Sequence, residues 1–290
     1  MKGTLERPGS VNHQHIVAVI NTLLERSPRR EPVRLLDLGC GDGRLLGYVL
    51  ASLAALRPSL RLEPFGLDVF DAGTQVPGFF DETRLYLETQ QPAVDWAHRL
   101  ILISTQDEWP YPDESFDFVT SNQVLEHVSN HEAVFRRIGR CLRPGGVSVN
   151  LFPLRDVLWE GHASMPFVHR VRDVDARARL MLLFAKMGFE AHYHRERQRR
   201  GWQSLEEFAR VYARALEADT NYITKAEICL AAERAGLKVS FTYTKDYFFA
   251  KALSYLGRRP SLYSDLGLLE SLGLLLGKYI ASVTMLLRKD

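Results

Sequence analysis

Cysteine is scarce in this chain. Its 290 residues hold three, Cys40, Cys141 and Cys229, scattered without metal-type spacing. That argues against a disulfide scaffold or a cysteine-built zinc module, and suggests free buried thiols in a reducing, cytoplasmic setting. Neither sign of charge is in excess: 37 Lys and Arg face 35 Asp and Glu, a net charge of +2. A balanced chain does not act as a trap for polyanions, which argues against a nucleic-acid partner. No secretory leader is expected either, because Met1-Lys-Gly-Thr-Leu-Glu-Arg is too polar for one. One long apolar run exists, residues 266–287, but Glu270 and Lys278 interrupt it. A helix, a turn at Gly277 and a final strand account for it better than a bilayer span, with contact to a membrane surface as the lesser reading. Internal repeats, low-complexity tracts and flexible linkers are absent.

What is present is ordinary globular composition, 46% hydrophobic and 25% charged. Short apolar runs alternate with helical periodicity from residue 33 onward. Strands are expected at 33–39, 60–69, 100–104, 116–121, 147–152, 237–244 and 280–288, and helices at 44–56, 131–142 and 224–235. Such alternation predicts an α/β fold: a doubly wound, mostly parallel seven-stranded sheet with helices on both faces. Residues 1–30 read as an N-terminal helical segment, with an amphipathic helix at 11–24, and 31–290 as the main domain. Residues 153–222 break the alternation and read as a helical insertion after strand five. A basic run within it, His192-Tyr-His-Arg-Glu-Arg-Gln-Arg-Arg, is a solvated face or a contact for an acidic group.

Ligands of such sheets bind beyond the carboxyl ends of the strands. At the first of these ends stands Leu35-Leu-Asp-Leu-Gly-Cys-Gly-Asp-Gly-Arg, three glycines at alternate positions between a strand and a helix. Glycines there permit positive φ and close approach of a ligand, and the helix start offers free N–H groups. A dinucleotide fingerprint needs its third glycine at position 44, where Arg stands; the third glycine comes one residue early, at Gly43. Asp68 ends the second strand, where a carboxylate can accept two hydrogen bonds from a ribose diol. Gln106 and Asp107, after strand three, can meet an adenine edge. Trp109 either packs on that ring or fills the core. Further on come Pro110-Tyr-Pro-Asp-Glu-Ser-Phe-Asp-Phe-Val, in which Asp117 looks structural, then Ser121-Asn-Gln-Val-Leu-Glu-His-Val and Arg143-Pro-Gly-Gly.

Taken together, these four ordered elements resemble the class I S-adenosylmethionine-dependent methyltransferases, in particular the branch with ubiquinone- and menaquinone-type enzymes. The resemblance covers residues 33–152. It implies a Rossmann-like methyltransferase fold with S-adenosyl-L-methionine as cofactor. Asp37 is then expected near the methionine amino group, and Gly39, Cys40 and Gly41 against the cofactor. Asp68 and Val69 fall at the ribose, and Gln106, Asp107 and Asn122 complete the site.

The expected reaction is direct in-line transfer to a small molecule, sugar or glycolipid-type hydroxyl, which needs proximity and a general base. His127, just past strand four, is one candidate base; His162 and His169, in the segment after strand five, are the others. The spacing His162–x6–His169 has no carboxylate or cysteine in step and is poor for zinc, so no metal is expected. Trp159 and Phe167 suit an apolar wall for the acceptor, and Arg170 and Arg172 an anionic one. An N-methyltransferase, a cofactor-binding protein without catalysis and, less well matched, a nucleotide-dependent oxidoreductase are the alternatives. The Asn/Asp-Pro-Pro-Tyr/Phe segment of DNA amino-methyltransferases is absent after strand four.

Overall fold

The computed structural model describes residues 10–27, 29, 31–72, 78–255, 267–280 and 282–290. It starts with α1 (Val11–Arg26), capped by Ser10, whose hydroxyl accepts the His13 amide. Then follow β1 (Val33–Leu38), α2 (Arg44–Leu56), β2 (Leu62–Val69), α3 (Phe79–Gln90), β3 (Leu100–Ile103), β4 (Phe116–Asn122), α4 (His131–Cys141) and β5 (Leu142–Phe152). Next come two two-residue strands, β6 (Trp159–Glu160) and β7 (Met165–Pro166), and the helices α5 (Val174–Lys186), α6 (Ala191–Arg200) and α7 (Leu205–Asp219). The chain returns to the sheet through α8 (Lys225–Arg234), β8 (Lys238–Ser240), α9 (Thr244–Tyr255), α10 (Gly267–Ile280) and β9 (Val283–Arg288).

Seven strands form one sheet in the order β3-β2-β1-β4-β5-β9-β8. Ladders β1–β2, β2–β3, β1–β4 and β4–β5 are parallel, while β9 runs antiparallel to both neighbours. β1 shows why. Its apolar side chains serve both faces: Val33 and Leu35 join one core with α1, α2 and Tyr247, whereas Leu36 and Leu38 join a second with α4 and α8. A strand buried on both faces carries no polar alternation, the signature of a helix-covered parallel sheet. Strand order reverses between β1 and β4, so a crevice opens there at the carboxyl edge.

α5, α6 and α7 share a separate core built on Met181, Tyr193, Phe208 and Leu216. Arg177 ties it together from a nearly fully buried position. Its guanidinium donates to the Val171 and Ala213 carbonyls and to Glu217, at 2.8, 2.6 and 2.7 Å. The basic run lies in α6, where His192 Nε2 meets the Tyr212 hydroxyl at 2.9 Å; the side chains of residues 196 and 198–200 are outside the described residues.

Several sequence expectations are corrected. Gly277 makes no turn: α10 continues through it to Ile280, and the missing side chain lets the helix cross Thr244, whose Cγ2 lies 2.8 Å from where a Cβ would stand. Strand six ends at Ser240, and Thr244 starts α9 instead. α3, unforeseen between strands two and three, is a largely exposed helix anchored by Thr83 and Leu87. Strand five starts earlier than expected, at Leu142, with a register shift against β4. Cys229 is exposed, unlike the other two thiols. The polar Met1-Lys-Gly start and the beginning of the apolar run, at residue 266, lie outside the described residues. No helix of the described residues is long and apolar enough to cross a membrane.

Candidate functional site

The glycine loop turns on three left-handed residues, Gly39, Gly41 and Gly43, with φ of +68, +49 and +73°. They differ in what surrounds them. A Cβ on Gly39 would lie 2.5 Å from Val124 Cγ2, so the segment after β4 rests directly on the loop. At Gly43, the α2 N-cap, a Cβ would meet Leu87 at 2.9 Å. Gly41 is open: its nearest neighbour is the Gly39 carbonyl at 4.0 Å. The loop is thus packed on two sides and accessible on one.

Two carboxylates underlie it. Asp68, nearly buried, accepts the Gly41 amide at 2.6 Å and the Val69 amide at 2.8 Å. It thereby holds the loop conformation as well as marking the β2 end. Asp37 is also buried; Oδ1 accepts the Thr120 hydroxyl at 3.1 Å, whereas Oδ2 has no hydrogen-bond partner. Burial, above all, raises the Asp37 pKa, and the charges of Asp68 and Asp42 add to it. An incoming cationic donor would satisfy Oδ2. Cys40 is buried, packs against Gly66 and has its thiol pKa raised by burial, so it is a packing group rather than a nucleophile.

The rest of the rim comes from β3 and β4. Asp107 accepts the Ser104 amide at 2.8 Å, while Gln106 is exposed. A residue that sequence reasoning missed, Asp71, joins the β2 and β3 ends by accepting the Ser104 hydroxyl and the Thr105 amide and hydroxyl. Its loop has no motif beyond an Asp three residues after Asp68. Asn122, at the β4 end, accepts from Asn12 Nδ2, and Asn12 in turn accepts the Tyr247 hydroxyl, so α1 and α9 border this edge. Trp109 is buried in the core beside Tyr111 and Phe116. Asp117 is structural, accepting the Arg34 amide and the Arg143 guanidinium.

Of the three histidines, His127 and His162, 35 residues apart in sequence, meet beyond β4 and β5. His127 and His162 rings stand edge to face, 5.1 Å between centroids. His162 Nδ1 meets Glu160 Oε1 at 2.6 Å, and Glu160, fully buried, also accepts the amides of His162 and Ala163 and the Tyr222 hydroxyl. Burial opposes a charge on His162, yet the Glu160 hydrogen bond and charge outweigh it and raise the imidazole pKa. His127 contacts the Asp219 carbonyl through Nδ1, and burial lowers its pKa. His169 stands aside: its ring packs on Tyr222 at 5.1 Å, Nε2 reaches the Arg155 carbonyl only at 3.4 Å, and burial lowers its pKa. Glu126 is fully buried among these groups, and burial pushes its carboxyl up to about 8. Trp159 and Phe167 are partly exposed beside the cluster's segment, with Arg170 stacked over Phe167.

A family model described as a methyltransferase domain matches residues 11–240. Among curated proteins, the chain is 30% identical over 117 residues to a ubiquinone biosynthesis O-methyltransferase of Ruegeria pomeroyi, covering 40% of each chain. It is 29% identical over 119 residues to a 27-O-demethylrifamycin SV methyltransferase of Amycolatopsis mediterranei, covering 41% of this chain and 38% of that one. The matched part is thus about two fifths of these relatives' length. Among solved structures, the DszA carbon methyltransferase superposes with a TM-score of 0.51 at 14% identity, over 98% of this chain and 56% of that one, a likeness of fold. The chain belongs to the methyltransferase domain family.

Proposed function

We propose that the chain methylates a hydroxyl of a small molecule, of sugar or glycolipid type, with His162 as general base and Glu160 as its positioning partner. The observation that carries this reading is the 2.6 Å His162–Glu160 contact, with Glu160 fully buried and held by three further donors. Such a pair fixes one imidazole nitrogen and leaves the other to receive a proton. The names of two relatives, for O-methylation in ubiquinone biosynthesis and at a rifamycin oxygen, support oxygen over nitrogen or carbon.

For the cofactor, Asp37 takes the amino group, using its unpartnered Oδ2, and Gly39, Cys40 and Gly41 lie along the amino-acid end. Asp68 and Val69 meet the ribose, Gln106 and Asp107 line the adenine side, and Asn122 borders the site at the β4 end. The cofactor supplies a methyl group already activated on a sulfonium. The residues' task is to align the acceptor, exclude water and take up one proton. His127 contributes the second imidazole wall, and His169 supports Tyr222 behind Glu160.

Incubation with methyl-labelled S-adenosyl-L-methionine and panels of hydroxylated, aminated and C-nucleophilic acceptors tests this. A labelled methyl ether, lost in His162→Ala, supports it. A labelled amine or C-methyl product overturns it, as does an absence of transfer to every acceptor while the cofactor still binds.

A further inference from the structure

One feature beside the catalytic pair is left unexplained by base catalysis. Glu126 stands at a short 3-10 turn after β4, fully buried, with neither carboxylate oxygen hydrogen-bonded among the described residues. A buried carboxyl without partners is costly, of the order of 1–3 kcal/mol per unmet group, and calls for a counterpart. Its neighbours are two imidazoles. Glu126, His127 and His162 each offer one ligand-capable atom within 4.8 Å of the other two. From these contacts we infer that Glu126, His127 and His162 bind a divalent transition-metal cation, Zn2+ or a near neighbour in the first row.

Three points support the assignment. Each imidazole has its Nδ1 committed, His127 to the Asp219 carbonyl and His162 to Glu160, which leaves Nε2 as the ligand nitrogen in both. A ring held by an oxygen at one nitrogen and offering the other is the usual support of a metal-bound histidine. Two nitrogens and one oxygen suit Zn2+, Fe2+, Co2+ or Mn2+ better than Mg2+ or Ca2+, which prefer all-oxygen shells. Finally, the pocket already holds two fully buried carboxyls, Glu126 and Glu160, and a cation offsets them. Bond lengths of about 2.0–2.2 Å place such ligand atoms roughly 3–3.5 Å apart, so the side chains need to close by at most about 1–2 Å on binding. Three protein ligands leave a position open, where a hydroxyl or water would be acidified.

The site shares His162 with the acceptor reading: a coordinated Nε2 takes up no proton, so His162 serves as base only while the site is empty, and the residue specific to the metal site is Glu126, which the base mechanism does not use. Its test is binding. The full-length chain, stripped with chelator, is titrated with Zn2+ by calorimetry and with Co2+ by visible absorption. One equivalent should bind, and Co2+ should give the d–d bands of a low-coordinate nitrogen site. Glu126→Gln and His162→Ala should lose at least tenfold in affinity. Glu160→Gln, which weakens the support of His162 without removing a ligand, should lose about 10- to 100-fold. His169→Ala should bind as the wild type does. S-adenosylhomocysteine affinity and thermal unfolding verify that each variant is folded. No binding by the wild type, or equal binding by Glu126→Gln and the wild type, overturns the assignment. Methyl transfer, measured separately, reports on the acceptor reading alone.

Discussion

Gly39 and Gly41 stand two residues apart in one loop, yet alanine at each should fail in a different way. At Gly39 the added methyl meets Val124 Cγ2 at 2.5 Å and Cγ1 at 2.9 Å, against an ordinary carbon contact of about 3.5–4 Å. Val124 is β-branched and cannot swing aside freely. Overpacking of this kind costs about 1–3 kcal/mol, and the left-handed backbone adds about 1–2 kcal/mol. A loss near 3 kcal/mol corresponds to a Tm lower by roughly 6–12 °C in a chain of this size. At Gly41 the backbone term remains, but the methyl enters open space, nearest the Gly39 carbonyl at 4.0 Å. Stability should fall by only about 1–2 kcal/mol. If the cofactor lies on that open flank, the methyl intrudes on it instead, and affinity should fall by about tenfold to a hundredfold. Thermal unfolding and calorimetric titration with S-adenosylhomocysteine, run on both variants, separate the two effects. Wild-type affinity in Gly41→Ala would mean that the cofactor does not pass that residue, and the loop assignment would be wrong.

Other outcomes follow from single side chains. Asp68→Ala should weaken S-adenosyl-L-methionine at least tenfold, through both the ribose contact and release of the Gly41 amide; unchanged calorimetry would remove Asp68 from the site. His162→Ala should lower kcat by about 10²–10⁴-fold with cofactor affinity nearly intact, and His169→Ala by much less; comparable losses would place the base elsewhere. His15, fully buried against Thr284 with its pKa lowered by burial to about 3, makes stability pH-dependent. Its folded pKa lies below the unfolded 6.5, so its contribution is complete above that value and falls as the unfolded chain takes up the proton. Between pH 7 and pH 5 this single group should remove about 2 kcal/mol, measured by denaturant titration, and His15→Asn should flatten the profile.

Much of this architecture is legible in the chain because its strands are buried on both faces. Runs such as Val33-Arg-Leu-Leu-Asp-Leu announce themselves without tertiary context, and the glycine loop follows at once. α3 escaped because only Thr83 and Leu87 are buried along it, too few for a helical stripe. α9 escaped because Thr-Lys-Asp-Tyr-Phe-Phe is rich in strand-forming types, and packing on α1 and α10 overrides that propensity. Candidate bases were visible as histidines near strand ends. Their assembly was not: Glu160 and Tyr222 are 62 residues apart, and nothing local says that Glu126 turns inward. A buried carboxyl looks, in sequence, like any surface glutamate.

β9 has a consequence for how this protein is made. It is the last of the described strands in sequence, yet it lies inside the sheet, between β5 and β8, and β8 joins the sheet through β9 alone among the described residues. During synthesis the outer edge of β5, where Val147, Val149, Leu151 and Phe152 are interleaved with Ser148 and Asn150, stays unpaired until residues 283–288 have left the ribosome. Pairing across that sequence distance closes a long loop and is slow. A polypeptide interrupted before β9 therefore displays an unpaired strand edge open to intermolecular pairing, whereas one carrying β9 covers that edge.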